Sequence, residues 1–179
     1  MKIKIGVMGS AAEPSSPQTA AAAVALAKAI AARDAILLTG ATTGLIHLIG
    51  KTARDAGACH LGISPGEGER EHVEEFGLPT DACDAIVYTG FGLKGRNVVL
   101  VRSCDIVVFI AGAIGSLNEF TIAYDEGKVI GCLIGTGGVA DEVATIIERL
   151  QKKTKAQIVY DSDPKMLVDA CLVAWEAGQ

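Results

Sequence analysis

The sequence predicts an α/β fold, a mostly parallel sheet of about seven strands with helices on both faces. Short β-branched apolar runs alternate with longer helical patterns from one end of the chain to the other. The strand runs are continuously apolar rather than alternating, as burial on both faces requires. Nearly every run ends in Gly or a small polar residue, the punctuation of a strand-to-helix turn.

Ile3 to Met8 reads as a buried strand that stops at Gly9-Ser10. Pro14 and Pro17 mark a loop and a helix start, and the Ala-rich run Thr19 to Ala32 is the helix, with Val24, Leu26 and Ile30 as its larger apolar groups. Ala35 to Thr39 is the second strand. Gly44 to Ala56 is a helix, with Gly57 as its stop, and Cys59 to Ser64 is a strand ending at Pro65-Gly66. The acidic stretch Glu67 to Pro79 is irregular and reads as a mobile surface segment. Ala85 to Thr89 is a strand and Arg96 to Ser103 a helix. Asp105 to Ala111 is the strongest strand, six apolar residues after one Asp, and a helix follows to Glu126. Val129 to Ile134 is a strand, Val139 to Lys152 a helix, Gln157 to Tyr160 a short strand and Pro164 to Trp175 the last helix. No linker or internal repeat interrupts this series. Residues 1–179 therefore read as one Rossmann-like domain, a three-layer sandwich.

Composition narrows the function. Hydrophobic residues make up 50% of the chain but aromatics only 4%, so the core is small and aliphatic. A net charge of −5 argues against a nucleic-acid partner, which needs a basic face. Apolar stretches are cut by Gly or charge well short of the roughly 18 residues of a membrane span. The first strand is too short for the apolar part of a signal peptide. The five cysteines form no C-x-x-C, and His47, His60 and His72 have no metal-ligand spacing. Reduced, buried thiols, a cytoplasmic location and no membrane partner are the expectation.

The strand ends gather at one edge of a parallel sheet, where such folds bind ligands. Small residues there let a backbone approach closely, and helix N-termini offer N–H groups to a phosphate; the same glycines would serve the turns alone. Gly6-Val7-Met8-Gly9-Ser10 is not G-x-G-x-x-G, and no G-x-x-x-x-G-K-[ST] occurs, which argues against a dehydrogenase or a P-loop NTPase.

One constellation is more specific. Gly95-Arg96-Asn97 is followed by Asp105 at a strand head and then by Gly112-Ala113-Ile114-Gly115-Ser116-Leu117-Asn118-Glu119. This resembles the LOG family of phosphoribohydrolases and the related molybdenum cofactor carrier proteins. Their mark is Arg at a helix start, Asp at the next strand head and a Pro-Gly-Gly-x-Gly-Thr-x-x-Glu loop. Thr39-Gly40-Ala41-Thr42-Thr43-Gly44 stands where the family has a second Gly-rich turn. The chain departs from the pattern at Ala111, Ala113 and Ser116, and at Ala41 and Thr42. An alanine at 113 puts a Cβ where a glycine would allow positive φ or a close approach. The Arg-Asn pair is nearer the carrier branch than the hydrolase branch, where Arg-Lys is usual.

The resemblance implies a phosphorylated ligand, a nucleotide or the molybdenum cofactor, held by Gly9, Ser10, Gly40, Thr42, Thr43, Gly44, Arg96, Asn97, Gly112, Ala113, Ile114, Gly115 and Ser116. It implies no required cofactor or metal, and at least a homodimer, for which the helix Gly44 to Ala56 is a candidate interface unless its own chain covers it. Three functions follow: a carrier, a phosphoribohydrolase with Arg96 and Glu119 as its catalytic pair, or a nucleotide-sensing domain. No pyridoxal-phosphate lysine motif supports a lysine decarboxylase. Other roles compete for the same residues. Ser116 and Glu119 also form a capping box, and Arg96 also suits a surface. Asp105 suits a structural role, His47 a core or interface position, the Glu67 to Glu75 run a solvated loop or a lid, and Lys94 anion recruitment.

Overall fold

The computed structural model describes residues 1–179. Seven strands form one parallel sheet: β1 (Lys4–Gly9), β2 (Ile36–Thr39), β3 (Cys59–Ser64), β4 (Ala85–Tyr88), β5 (Ile106–Ile110), β6 (Val129–Leu133) and β7 (Gln157–Asp161). Their order is β4-β3-β2-β1-β5-β6-β7. The chain winds outward from β1 to β4, returns to lay β5 beside β1, and winds outward again. The reversal falls between β1 and β5, paired from Ile5↔Ile106 to Gly9↔Ile110. A crevice opens beyond the carboxyl ends of two such strands, because their helices leave toward opposite faces.

Six helices cover the sheet: α1 (Pro17–Ala31), α2 (Gly44–Asp55), α3 (Gly92–Ser103), α4 (Ile114–Asp125), α5 (Gly138–Leu150) and α6 (Pro164–Ala177). Alternate residues of β5 show the two-faced burial. Ile106, Val108 and Ile110 pack with α1, α2 and α6, while Val107 and Phe109 pack with α3, α4 and α5. Phe109 meets Phe120 edge to face, a geometry aromatic quadrupoles favour. Helix starts follow local chemistry. Ser16 caps α1 by accepting from Thr19 N, Asp163 caps α6 by accepting from Lys165 N and Met166 N, and each is followed by proline. No helix is long and apolar enough to cross a membrane.

Four local expectations need correction. The third helix begins at Gly92 rather than Arg96, because Gly90, Gly92 and Gly95 disguise its first turn as loop. The 67–79 stretch contains one wide helical turn, Glu71–Glu75, and is anchored by His72. That ring is fully buried, bonded to Ser64 Oγ at 2.8 Å and to Pro79 O at 3.1 Å. His47 lies half-buried on α2 and bonds Asp81 at 2.8 Å instead of packing in the core. All five thiols are free, but Cys59 is exposed; only Cys104, Cys132 and Cys171 are buried. The apolar residues of α2 (Leu45, Ile46, Ile49 and Ala53) are covered by their own chain.

Candidate functional site

A cleft of about 240 Å³ opens at the β1–β5 reversal. Its walls include Gly9 and Ser10 after β1, Gly40 and Thr42 after β2, Arg96 and Asn97 from α3, and Ala113, Gly115, Ser116 and Glu119 from the β5–α4 connection and α4. Sequence reasoning named all of these. The structure does not bring in the rest. Thr43 and Gly44 line a neighbouring hollow with Glu13 and His47. Thr43 Oγ1 there donates to Ala11 O at 2.7 Å, and Leu45 N to Ala12 O at 2.9 Å, which tie the loop after β1 to α2. Gly112 does not line the cleft but packs against the Ser116 side chain, and Ile114 is 71% exposed. The cleft also takes in Val7, Met8, Ala11, Ile46 and Leu93, for which the sequence offered no signal as site residues, and Lys94, weighed there as an anion recruiter. A larger hollow of about 480 Å³, between α3, α4 and α5, contains none of the predicted residues.

At the floor Arg96 and Glu119 are both buried, with Nη1 of Arg96 3.3 Å from Glu119 Oε1. The guanidinium lies flat against Gly40, where a Cβ would stand 2.2 Å from Nη1. Arg96 Nε has no partner at all. A buried unpaired donor of a charged group is costly, so this arginine is not placed there for stability alone. The Asn97 amide, oriented to suit its neighbours, donates to Glu119 Oε1 at 3.0 Å and to Leu93 O at 3.1 Å. Burial pushes the Glu119 carboxyl up to about 7, against the pull of Arg96 and Lys94. Burial also lowers the Arg96 guanidinium from its usual range, with Glu119 opposing; arginine stays charged regardless.

At the mouth, Lys94 Nζ lies 3.8 Å from the point where a side chain on Gly115 would begin. No carboxylate lies within ion-pair distance of it. The N-cap of α4 is Ala113, which supplies no side-chain bond. The N–H groups of this first turn and the positive end of the helix dipole therefore remain available to an anion.

The loop departures find physical explanations here. Ala113 has φ −127°, an ordinary extended conformation, so its Cβ causes no strain. The left-handed positions are Ala111 at φ +49° and Gly112 at φ +97°. A proline, locked near −65°, does not fit at 111 in this backbone. Ala41 is likewise left-handed, at φ +49°. The capping box is not formed: the helix starts at Ile114, Ser116 Oγ donates to Gly9 O at 3.1 Å, and Glu119 faces Arg96. Asp105 is structural, accepting from Lys4 N at 2.8 Å and from Lys4 Nζ at 2.7 Å at the opposite edge of the sheet.

Fold and cleft together define a doubly wound α/β protein with a crevice at its topological switch point. The chain belongs to the SLOG cluster4 family, whose model matches residues 2–168. The structure is similar to that of the protein TM1055, with a TM-score of 0.82 and 26% identity over 97% of this chain and 99% of the other. It is also similar to the molybdenum cofactor binding protein of Rippkaea orientalis, with a TM-score of 0.79 and 25% identity over 97% and 98% of the two chains. The Moco carrier protein of Chlamydomonas reinhardtii superposes with a TM-score of 0.75 and 26% identity over the whole of both chains. The LOG-like and carrier resemblance read from Gly95 to Glu119 thus holds at the level of the family.

Proposed function

We propose that this protein is a carrier for a phosphorylated, pterin- or nucleotide-like ligand, with the molybdenum cofactor as the favoured cargo. The observation that carries this reading is the buried Arg96, with an unpartnered Nε, beside an uncapped α4 N-terminus and an unpaired Lys94. A buried guanidinium, an uncapped helix start and an unpaired ammonium that line one cleft suit a phosphate. The volume supports a division of the ligand. At about 240 Å³ the cleft is smaller than the roughly 300–1,000 Å³ of sites that enclose a whole ligand. It takes the phosphoryl end and leaves the heterocycle along the rim near Leu93. A molybdenum cofactor binding protein and a Moco carrier protein share the fold over at least 97% of this chain. The reading suits a cytoplasmic protein with reduced thiols and no nucleic-acid or membrane partner.

A phosphoribohydrolase is the second reading, favoured by Glu119. A carboxyl poised at about 7 next to an arginine has the acidity of a general acid or base for an N-glycosidic bond. Its Oε1 is already held by Arg96 and Asn97, which suits a fixed, positioning carboxylate as well. One experiment separates the two readings. Purified protein is titrated calorimetrically with ribose 5-phosphate and nucleoside 5′-monophosphates, assayed for released base, and analysed for molybdenum after expression with molybdate. The carrier reading expects phosphate-dependent binding, co-purified molybdenum and no base. Arg96→Ala is expected to weaken binding by about tenfold to a hundredfold, as loss of a charge-assisted contact does. Base release that disappears in Glu119→Ala makes the protein a hydrolase. No binding of any phosphorylated compound removes both readings.

A further inference from the structure

Glu119 opens on the same small cleft as the donors that would hold an anion. It stands one turn along α4 from Ser116, with Oε1 held by Arg96 and Asn97 and no protein donor to Oε2. The charged groups facing it come from α3, Arg96 on the floor and Lys94 at the mouth. The ends of β1 and β2 contribute Gly9, Ser10, Gly40 and Thr42, none of them charged. Cys104, which also feels this carboxylate, is kept a neutral thiol by burial, its pKa pushed up to about 12.

A phosphate monoester seated on the first turn of α4 brings up to about two negative charges into this space. It offsets the pull of Lys94 on Glu119 and adds a like charge beside it. Two like charges in one desolvated site do not both stay ionised, and the more basic group takes the proton. The second ionisation of a phosphate monoester lies near about 6, whereas burial already holds Glu119 at about 7. Geometry points the same way: the phosphate takes its hydrogen bonds from the α4 N–H groups and Lys94, whereas Glu119 is buried and its Oε2 has no protein donor, so the carboxylate is the acceptor and Oε2 its free oxygen. We propose that a phosphate-bearing ligand binds this cleft together with one proton from solvent, which comes to rest on Glu119; this rests on the anion-binding reading above.

The sign follows from linkage. Bound ligand makes Glu119 a weaker acid, so the complex prefers the protonated carboxyl. Affinity is greatest at low pH and falls as pH rises through about 7, where the free protein loses this proton. The limiting slope is about tenfold per pH unit. The probe is ribose 5-phosphate, titrated calorimetrically between about pH 7 and pH 9 in buffers of different ionisation enthalpy, which reads proton uptake directly. Wild type is expected to take up between half a proton and one proton near about pH 8 and to lose affinity toward the limiting slope. Glu119→Gln, folded by circular dichroism, is expected to bind with affinity that no longer varies across this range. Wild-type binding without uptake, or the same uptake in Glu119→Gln, overturns the proposal while the anion site stands. Wild type alone decides the first of these if the variant fails to fold. Absence of any ribose 5-phosphate binding overturns the proposal, and if the nucleoside 5′-monophosphates fail to bind as well, the anion site falls with it.

Discussion

Arg96 and Glu119 are the residues whose placement is hardest to explain by stability alone. Burying an arginine and a carboxylate costs several kcal/mol per ion, and a single 3.3 Å contact with an orphaned Nε recovers this poorly. An apolar pair of similar volume would fill the same space without the desolvation penalty. The double variant Arg96→Met, Glu119→Leu is therefore expected to be as stable as wild type or more stable by about 1–4 kcal/mol, and to bind no ribose 5-phosphate. Arg96→Met alone, which strands the carboxylate, is expected to lose about 2–4 kcal/mol, softened by protonation of Glu119. Urea unfolding of the single and double variants checks both. A double variant less stable than either single would show the pair to be a structural keystone. These two residues were legible in the sequence because the spacing from Arg96 through Asp105 to Glu119 is a pattern. Lys94 was visible only as a neighbour of Arg96. Its position over Gly115 depends on how α3 and α4 pack, which no spacing along the chain encodes.

At the scale of elements, the connection from β5 to α4 shows what a motif does and does not transmit. Its glycines and its Glu were readable, but the backbone route through Ala111 was not. Ala111 is left-handed, its N–H donates to Thr136 Oγ1 at 2.9 Å, and its carbonyl accepts from Ala140 N at 3.0 Å at the start of α5. One residue thus joins β5, α4 and α5, and restoring the family's proline would break the join in two ways. The ring forbids φ +49° and removes the donor to Thr136. Ala111→Pro is expected to destabilise the protein by about 3 kcal/mol or more, read as a lowered urea midpoint. Unchanged stability would mean that the loop has a second backbone route compatible with proline. The first turn of α3 was not legible in the sequence because Gly92 and Gly95 oppose helix propensity. It forms because β4 delivers the chain there, with Gly90 N and Gly92 N bonded to Gly66 O and Pro65 O. The acidic 67–79 segment was misjudged for a related reason. Charge suggested solvent, but the buried His72 ties it to β3.

For the molecule as a whole, the sheet, its polarity and its two-faced burial were legible because the apolar runs are unbroken and the turn residues regular. The polar bonds that close the far half of the sheet were not. His60, on β3, is buried, with Nδ1 2.6 Å from Ala82 O and Nε2 2.8 Å from Thr39 Oγ1. The carbonyl fixes Nδ1 as the donor, and with burial favouring the neutral ring Nε2 accepts from the threonine. Burial lowers its pKa below 6.5, with the Ala82 bond opposing. A depressed basic group contributes stability that is present above its unfolded value and lost as pH falls through the folded one. As pH falls below about 6.5 the fold is thus expected to lose up to about 1.4 kcal/mol per pH unit through this residue. Glu119 acts in the opposite sense, because its raised pKa contributes stability below 4.5 that is lost as pH rises to about 7. The net profile of the wild type mixes the two, and the difference between wild type and His60→Gln separates them. Glutamine can bond both Ala82 and Thr39 but does not titrate. Urea unfolding at about pH 7 and pH 5 is expected to show the stability gap between wild type and variant narrowing or reversing at the lower pH. A constant gap would mean that protonated His60 finds an acceptor in the fold, and that the acid limit of this protein lies elsewhere.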